Sequence, residues 1–228
     1  MKSDDLNKII CGDAYKIIKK IPTKSIDCVM TDPPYLQHTG GGTSPKSGLY
    51  RNIHRGSLDH LSNGFDYSIF EEMIRVCKIV NLQIFCSNRQ ISSIMGYFED
   101  LGYSVTLMTF LKTNPIPLAA NTLLSDCEYI VYVRGKGATF NKLHYKEMSK
   151  VTTLPIVSHS KRLHDCQKPE LLIEKYMKLF TNKKDVVLDC FLGSGTTAAV
   201  AKRMGRNYIG IEHDKEICNI AQKRLANL

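Results

Sequence analysis

No two of the eight cysteines have the C-x-x-C spacing of a typical zinc site, and no apolar run reaches the length of a signal sequence or a membrane helix. Most of the cysteines lie inside apolar segments, where free cysteine behaves as a small hydrophobic residue. This usage fits a reducing compartment better than a disulfide scaffold. We therefore expect a soluble, cytoplasmic protein that binds no metal.

The charge balance is basic, with a formal net charge of +9. Such a balance favours a polyanionic partner, although basic proteins that touch no nucleic acid also exist. The 228 residues are enough for one domain with a substantial core. A single domain over residues 1–228 is the prediction.

The stretch Asp32-Pro33-Pro34-Tyr35 follows an apolar run, residues 26–30, that predicts a short buried strand. Two consecutive prolines cannot continue a sheet ladder, so the chain must leave the sheet there with a rigid backbone. Open α/β sheets bind ligands at the carboxyl ends of their strands. A carboxylate, a backbone carbonyl fixed by proline and an aromatic ring suit an amino-bearing nucleobase. The alternative is a plain strand-ending turn, in which Asp32 is a cap and Tyr35 packs at the rim.

A second informative unit lies near the end of the sequence. Residues 185–190 predict a buried strand, and residues 207–211 predict another that ends at Glu212. The turn and helix start between them read Phe191-Leu192-Gly193-Ser194-Gly195-Thr196-Thr197. Glycines let a ligand approach the backbone closely, and an acid at a strand end can bind a ribose diol. The turn lacks the third glycine of the dinucleotide pattern, which disfavours a nicotinamide-dependent oxidoreductase.

Strands and amphipathic helices alternate along the first half of the chain. Residues 6–11, 82–86 and 105–111 predict strands, and residues 14–21, 67–80 and 90–101 predict helices. This alternation predicts an α/β fold, doubly wound around a mostly parallel sheet. A further strand at residues 128–133 leaves little room for a crossover helix, so we expect an antiparallel pair at the sheet edge.

Two segments without clear periodicity could face a nucleic acid. Residues 36–66 are rich in glycine, and their histidines have no metal-ligand spacing, so we predict a mobile loop that closes over DNA, with plain disorder as the alternative. Residues 134–166 carry most of the basic excess, interleaved with aromatic side chains and histidines. This mixture suits phosphate contacts and stacking, and we predict a target-recognition segment; a solvated surface without a partner is the alternative.

Three motifs in this chain resemble those of the S-adenosylmethionine-dependent DNA amino-methyltransferases. They are the Asp-Pro-Pro-Tyr stretch at residues 32–35, the Phe-x-Gly-x-Gly-Thr-Thr turn at residues 191–197, and Gln-Lys-Pro at residues 167–169 before a helix. The catalytic motif precedes the cofactor motif, an order that resembles the beta class of the family. The resemblance covers nearly the whole chain and implies a Rossmann-like fold with the cofactor-binding half at residues 167–228. One departure is His164-Asp165-Cys166, where the family commonly has His-Pro-Thr.

The resemblance also implies roles for individual residues. S-adenosylmethionine is expected across the carboxyl ends of the strands, with its ribose on Glu212, its adenine near Asp13 and its methionine part near Lys168 and the turn. On spacing alone, a plain helix N-cap is the stronger alternative for Asp13. The full set expected to bind the cofactor is Asp13, Asp32, Lys168, Pro169, Asp189, Phe191, Gly193, Ser194, Gly195, Thr196, Thr197 and Glu212.

The expected reaction transfers a methyl group to the N6 amino group of an adenine flipped out of the duplex and stacked on Tyr35. Asp32, Pro33, Pro34 and Tyr35 form the predicted catalytic set, and S-adenosylhomocysteine is the expected product. Cytosine N4 is the nearest alternative acceptor, but the family's cytosine enzymes more often carry serine where this chain has Asp32. Structured RNA as substrate, or a catalytically dead nucleic-acid-binding relative, are further alternatives.

The expected partner is double-stranded DNA, and the resemblance implies a bacterial, archaeal or phage-encoded context. A cognate restriction endonuclease and a homodimer are expected from the family resemblance only. Base recognition is confined to two short segments, so we expect a short or degenerate target, or help from a second subunit.

Overall fold

One mixed β-sheet organises the protein. The computed structural model describes residues 6–35, 64–115, 123–158, 160, 162–163 and 167–228. The strands are β1 (Lys8–Cys11), β2 (Cys28–Thr31), β3 (Asn81–Cys86), β4 (Ser104–Lys112), β5 (Cys127–Arg134), β6 (Val151–Leu154), β7 (Val186–Asp189) and β8 (Asn207–Glu212). The helices are α1 (Ala14–Ile17), continued by a 3-10 turn at Ile18–Lys20, α2 (Ile69–Val76), α3 (Ile91–Asp100), α4 (Glu170–Phe180), α5 (Thr196–Arg203) and α6 (Lys215–Ala226).

The strands lie in the order β1-β8-β7-β2-β3-β5-β4-β6. Strands β1, β8, β7, β2 and β3 pair in parallel, β5 is antiparallel to both of its neighbours, and β6 is parallel to β4. The chain leaves β7 towards β8 on one side and leaves β2 towards β3 on the other. The boundary between β7 and β2 is therefore the topological switch point, where open α/β sheets bind ligands.

Both faces of the sheet are covered, as a doubly wound fold requires. Side chains from the first three helices pack on one face, while α4, α5 and α6 pack on the other. The first three residues of β2 are apolar because both sides of the strand are buried: Val29 belongs to one core layer, and Cys28 and Met30 belong to the other. Asp32 therefore follows a strand that is buried on both sides.

The predicted α/β fold with a mostly parallel sheet is confirmed, and β4 and β5 form the predicted antiparallel pair. The position of that pair differs from the prediction, because β6 lies outside β4 and β5 is also antiparallel to β3. Strand β6 comes from the basic segment 134–166 and has only four residues, two exposed and two half-buried, so it carries no apolar run that sequence analysis could detect.

Most helix and strand boundaries agree with the predicted ones to within about three residues, and the second helix is shorter than its apolar pattern. The predicted DNA-facing loop lies outside the described residues except at 64–66. Within the described part of the chain, no helix is long and apolar enough to cross a membrane.

Candidate active site

The predicted catalytic and cofactor motifs meet at the switch point. Strand β2 ends at Thr31 and leads into the proline stretch, while the adjacent parallel strand β7 ends at Asp189 and leads into the glycine turn. The Thr31 hydroxyl donates a hydrogen bond of 2.9 Å to Asp189 Oδ1 and accepts one of 3.2 Å from the Cys190 amide. This pair of bonds ties the two strand ends together.

Asp32 presents one open carboxylate oxygen at this edge. Its Oδ2 accepts a hydrogen bond from Lys168 Nζ, whereas its Oδ1 is buried and has no hydrogen-bond partner among the described residues. Burial raises the pKa of Asp32, and the Lys168 ammonium partly offsets this rise. A buried acceptor without a donor costs free energy, so Oδ1 is the place where a donor from a ligand would be most favourable.

Lys168 lies closer to the catalytic motif than its predicted cofactor role implied. Its Nζ is 5.2 Å from the ring centroid of Tyr35 and 5.2 Å from that of Phe85, and its side chain is only 10% exposed. The adjacent Pro169 is the N-cap of α4. The contact of Lys168 with the methionine part of the cofactor stays a prediction.

The Tyr35 side chain is half-buried and packs against the core layer of α4 and α5. Its buried hydroxyl lies near the Asp32 carboxylate but makes no well-formed hydrogen bond to a described residue. Burial and the nearby Asp32 carboxylate raise the pKa of Tyr35 well above the ordinary value, so the phenol stays protonated. Pro33 is buried and Pro34 half-buried in the same turn, which fixes the backbone between Asp32 and Tyr35.

Two charged residues at this edge were not predicted. Glu128 Oε2 is 3.2 Å from Lys168 Nζ, and its Oε1 is 3.0 Å from Lys112 Nζ. Glu128 lies at the start of β5 and Lys112 at the end of β4. Because β5 runs antiparallel, its first residues reach the same edge as the last residues of β2, β3 and β4. Neither residue belongs to a motif, and only the strand direction could have indicated their position.

The glycine turn is open on the side that a ligand would approach. Gly193 and Gly195 have φ angles of 55° and 84°, which other residues rarely adopt. A Cβ built at Gly193 would meet no described atom within 4 Å, whereas one at Gly195 would lie 3.1 Å from Ala221 Cβ. One glycine therefore faces open space, and the other permits close packing of the turn on α6. Together with an acid at the next strand end, this geometry fits the nucleoside part of the expected cofactor.

Glu212 holds the turn from the end of β8. Its Oε2 accepts a hydrogen bond of 2.8 Å from the Gly193 amide, and its Oε1 accepts one of 2.8 Å from the Asp214 amide. Each carboxylate oxygen can accept a second hydrogen bond. The predicted ribose contact of Glu212 is compatible with these bonds and stays a prediction.

Asp13 lies near Glu212, since the Gly12 amide donates a 2.8 Å hydrogen bond to the Glu212 carbonyl. The Asp13 side chain accepts a hydrogen bond of 2.9 Å from the Tyr15 amide, so Asp13 is the N-cap of α1 as its spacing indicated. The Tyr15 and Phe191 rings are in edge contact, with centroids 6.4 Å apart. Asp13, Phe191 and Glu212 thus gather at the ends of β1, β7 and β8, although the adenine contact of Asp13 is untested.

Asp189 stabilises the glycine turn from the protein interior. Its Oδ1 also accepts a 3.1 Å hydrogen bond from the Phe191 amide, and its side chain is buried. Burial raises its pKa to about 7, while hydrogen bonds from Thr197, Phe191 and Thr31 oppose that rise. The observed contacts of Asp189 are therefore with the protein; its predicted contact with the cofactor stays a prediction.

Arg224 on α6 was not predicted and links the two halves of the cofactor region. Its Nη1 donates hydrogen bonds of 3.1 Å to the Ser194 carbonyl and to Thr196 Oγ1, and its Nη2 pairs with Glu170, two residues after Lys168. Ser194, Thr196 and Thr197 are buried, so they build the turn and the start of α5. No cluster of three metal-ligating side chains occurs in the part of the chain that the structure describes.

The fold and the site define a doubly wound α/β protein with a nucleotide-type turn beside a partly open carboxylate at the switch point. Residues 26–223 match the model of the N6/N4 amino-methyltransferase family, described as DNA methylase. The chain therefore belongs to the DNA methylase family.

Individual relatives agree with this assignment. The chain is 32% identical to the type II methyltransferase M2.DpnII of Streptococcus pneumoniae, covering 96% of this chain and 90% of that protein. It is 31% identical to M2.LlaDCHI of Lactococcus lactis subsp. cremoris, covering 95% and 88%. The solved complex of M1.HpyAVI with SAM superposes with a TM-score of 0.71 at 30% identity, covering 96% of this chain and 99% of the other.

Proposed function

We propose that this protein transfers a methyl group from S-adenosylmethionine to the N6 amino group of an adenine flipped out of double-stranded DNA. The observation that carries the proposal is the Asp32 carboxylate, whose Oδ2 is held by Lys168 while its Oδ1 has no described donor. This open acceptor lies beside the glycine turn at the switch point. The DNA methylase family membership supports DNA as the substrate.

The cofactor supplies an electrophilic methyl group on a sulfonium. Glu212, Phe191 and the glycine turn would hold its nucleoside part, with Asp13 next to them. The methionine part would then extend towards Lys168 and Asp32, an orientation that the neighbouring positions of β7 and β2 support. The bound SAM in the related M1.HpyAVI structure supports the choice of cofactor.

The target base would enter against Tyr35. An exocyclic amino group is a poor nucleophile, because its lone pair is delocalised into the ring. One N–H donated to Asp32 Oδ1 and the other to the Pro33 carbonyl favour a tetrahedral nitrogen whose lone pair is available. The N–C bond then forms as the S–C bond breaks, and the products are a methylated amino group and S-adenosylhomocysteine.

Asp32 would also stabilise the transition state. Positive charge develops on the nitrogen, and the adjacent carboxylate strengthens its hydrogen bond as that happens. The excess proton then leaves through Asp32 or directly to water. The raised pKa of Asp32 makes it a better proton acceptor than an exposed carboxylate.

The binding of DNA would use the basic segment 134–166 for target recognition. We extend the proposal to a homodimer and a cognate restriction endonuclease, acting in the cytoplasm. Sedimentation of the pure protein tests the dimer. Protection of methylated DNA from candidate endonucleases tests the proposed restriction endonuclease.

Product analysis tests the proposed reaction directly. The protein is incubated with S-adenosylmethionine and unmethylated genomic DNA, and the DNA is digested to nucleosides that are identified by mass. We expect 6-methyladenine, with none formed when the DNA is replaced by structured RNA. Detection of 4-methylcytosine would keep the fold and cofactor but contradict the assignment of adenine. No methylated product from DNA, with cofactor bound, would contradict the proposed reaction.

A further inference from the structure

We call the sheet edge that carries Asp32, Tyr35 and Lys168 the catalytic edge. It contains a second carboxylate, Glu128, to which the proposed reaction assigns no role. Glu128 is 18% exposed, compared with 24% for Asp32, so both carboxylates are largely shielded from water. Lys168 is their shared cation, and Lys112 contacts Glu128 from the other side. The order Asp32, Lys168, Glu128, Lys112 is thus a row of alternating charges across three strand ends and the start of α4.

The row constrains the Lys168 ammonium. A lysine ammonium has three donors on a flexible stem, so a single neighbouring carboxylate would allow it to move between both carboxylate oxygens. A second carboxylate attracts the ammonium to its own side: Glu128 Oε2 is 3.2 Å from Lys168 Nζ, an ion pair without hydrogen-bond geometry. In the structure the Lys168 ammonium donates to Oδ2 of Asp32. The other oxygen, Oδ1, accepts no well-formed hydrogen bond from a residue that the structure describes.

We propose that Glu128, anchored by Lys112, is a positioning residue for methyl transfer: it holds the Lys168 ammonium on Oδ2 of Asp32 and so keeps Oδ1 open for the target amino group. This inference rests on the proposed function, because it assumes that Oδ1 binds that amino group. Glu128 acts through Lys168, and no contact between Glu128 and the reacting atoms is required.

The antiparallel strand explains how a residue so far from the motifs reaches the site. Glu128 pairs in register with Phe110 of β4, two residues before Lys112, and its neighbour Tyr129 pairs with Cys86 at the end of β3. A parallel strand at this place would bring its last residues to the edge instead. The reversed direction of β5 therefore supplies a carboxylate to a site otherwise built from parallel strand ends.

The ionisation of Asp32 can be followed through the pH dependence of kcat. A purely structural role of Glu128 would not predict a change in that pH dependence. The charged and titratable groups that face Asp32 from the surrounding elements are Lys168, Glu128, Tyr35, Asp189 and Cys86. Lys168 favours the carboxylate form of Asp32, and Glu128 opposes it. Removing the charge of Glu128 should lower the pKa of Asp32. Removing the charge of Lys112 leaves the Glu128 carboxylate less neutralised and should therefore raise the pKa of Asp32.

The test compares three variants in steady-state methylation of DNA as a function of pH. For Glu128→Gln we expect kcat at its plateau to fall about tenfold, because Lys168 moves onto Oδ1 and the amino group is misplaced. The acid limb of the kcat profile should move down by about one pH unit. For Lys112→Met we expect a smaller fall in kcat and an acid limb that moves up. Glu99→Gln removes an equivalent charge on the exposed side of α3 and should change neither quantity.

Calorimetric binding of S-adenosylmethionine and the far-ultraviolet circular dichroism of each variant establish that it is folded. A lower plateau kcat together with opposite shifts of the two acid limbs supports the inference. Full plateau activity of Glu128→Gln overturns it, and so does a loss of kcat without opposite shifts. If the wild-type protein forms no methylated base, the proposed function fails and the inference fails with it; an active wild type with unshifted variants contradicts the inference alone.

Discussion

The catalytic edge and the glycine turn differ in how completely their polar groups are satisfied. In the turn, Glu212 accepts hydrogen bonds on both oxygens, and Arg224 donates to Ser194 and Thr196. At the edge, Asp32 Oδ1, the Tyr35 hydroxyl and Glu128 Oε2 are buried and make no well-formed hydrogen bond to a described residue. The cofactor region is therefore assembled by the protein alone, whereas the catalytic edge keeps groups that a substrate would complete.

The two regions also differ in electrostatics. Opposite charges alternate at the catalytic edge, and after burial, which is the largest cause, they shift the pKa of Asp32 in opposite directions. The turn is held mainly by backbone amides and by the buried Asp189. Substitutions at the edge should thus change catalysis and stability through charge, and substitutions at the turn should act through backbone geometry and cofactor affinity.

The largest effect is expected from Lys168→Met, which removes the shared cation of two shielded carboxylates. Breaking a buried ion pair in this way commonly costs about 3 to 5 kcal/mol of stability. The pKa of Asp32 should rise further, because Lys168 is the main group that lowers it. Urea denaturation and the kcat–pH profile measure both effects. Lys178→Met, on the exposed side of α4, is the control and should leave both unchanged.

A smaller effect is expected from Gly195→Ala in the turn. The new Cβ would sit at a φ of 84° and 3.1 Å from Ala221 Cβ. The strained conformation should cost about 1 to 2 kcal/mol of stability and weaken cofactor binding. Gly96→Ala is the matched control, since its Cβ would meet no described atom within 4 Å inside α3. That control should gain about 0.5 to 1 kcal/mol; equal losses for both variants would contradict the account of the turn.

Arg224→Gln should destabilise the glycine turn without changing the contacts at the catalytic edge. The variant loses hydrogen bonds to Ser194 and Thr196 and the ion pair with Glu170. Bonds from a charged donor contribute about 1.5 to 3 kcal/mol, so we expect cofactor affinity to fall about tenfold and kcat at saturating cofactor to change less than twofold. Isothermal titration calorimetry measures the cofactor affinity, and steady-state kinetics measure kcat. Lys223→Gln, exposed on the same helix, should behave as wild type.

A separate effect, which varies with pH, is expected on stability from Asp189. Its pKa is about 7 in the folded protein and near 3.8 when unfolded, so the folded state binds more protons between these values. This carboxyl group therefore makes stability decrease as pH rises from about 4 to 7. Denaturation curves of Asp189→Asn should lose that decrease, and an unchanged pH slope would contradict the assignment of the raised pKa.

The same comparison shows which parts of the site were predictable from the sequence. The glycine turn, Asp13 as a helix cap, Glu212 and the proline stretch are local patterns, and the structure places each at the expected strand or helix end. Glu128, Lys112 and Arg224 reach the site from distant strands and a helix through pairings that no local pattern encodes. Lys168 was predicted, but its pairing with Asp32 depends on tertiary structure.

The separation of cofactor binding from methyl transfer is tested most directly with Asp32→Ala, by measuring cofactor affinity and single-turnover methylation on the same preparation. The account predicts that the variant binds S-adenosylmethionine within about threefold of the wild type, because the turn is assembled without Asp32, and that methyl transfer falls about 100- to 1000-fold. Normal turnover by this variant would contradict the central role of Asp32.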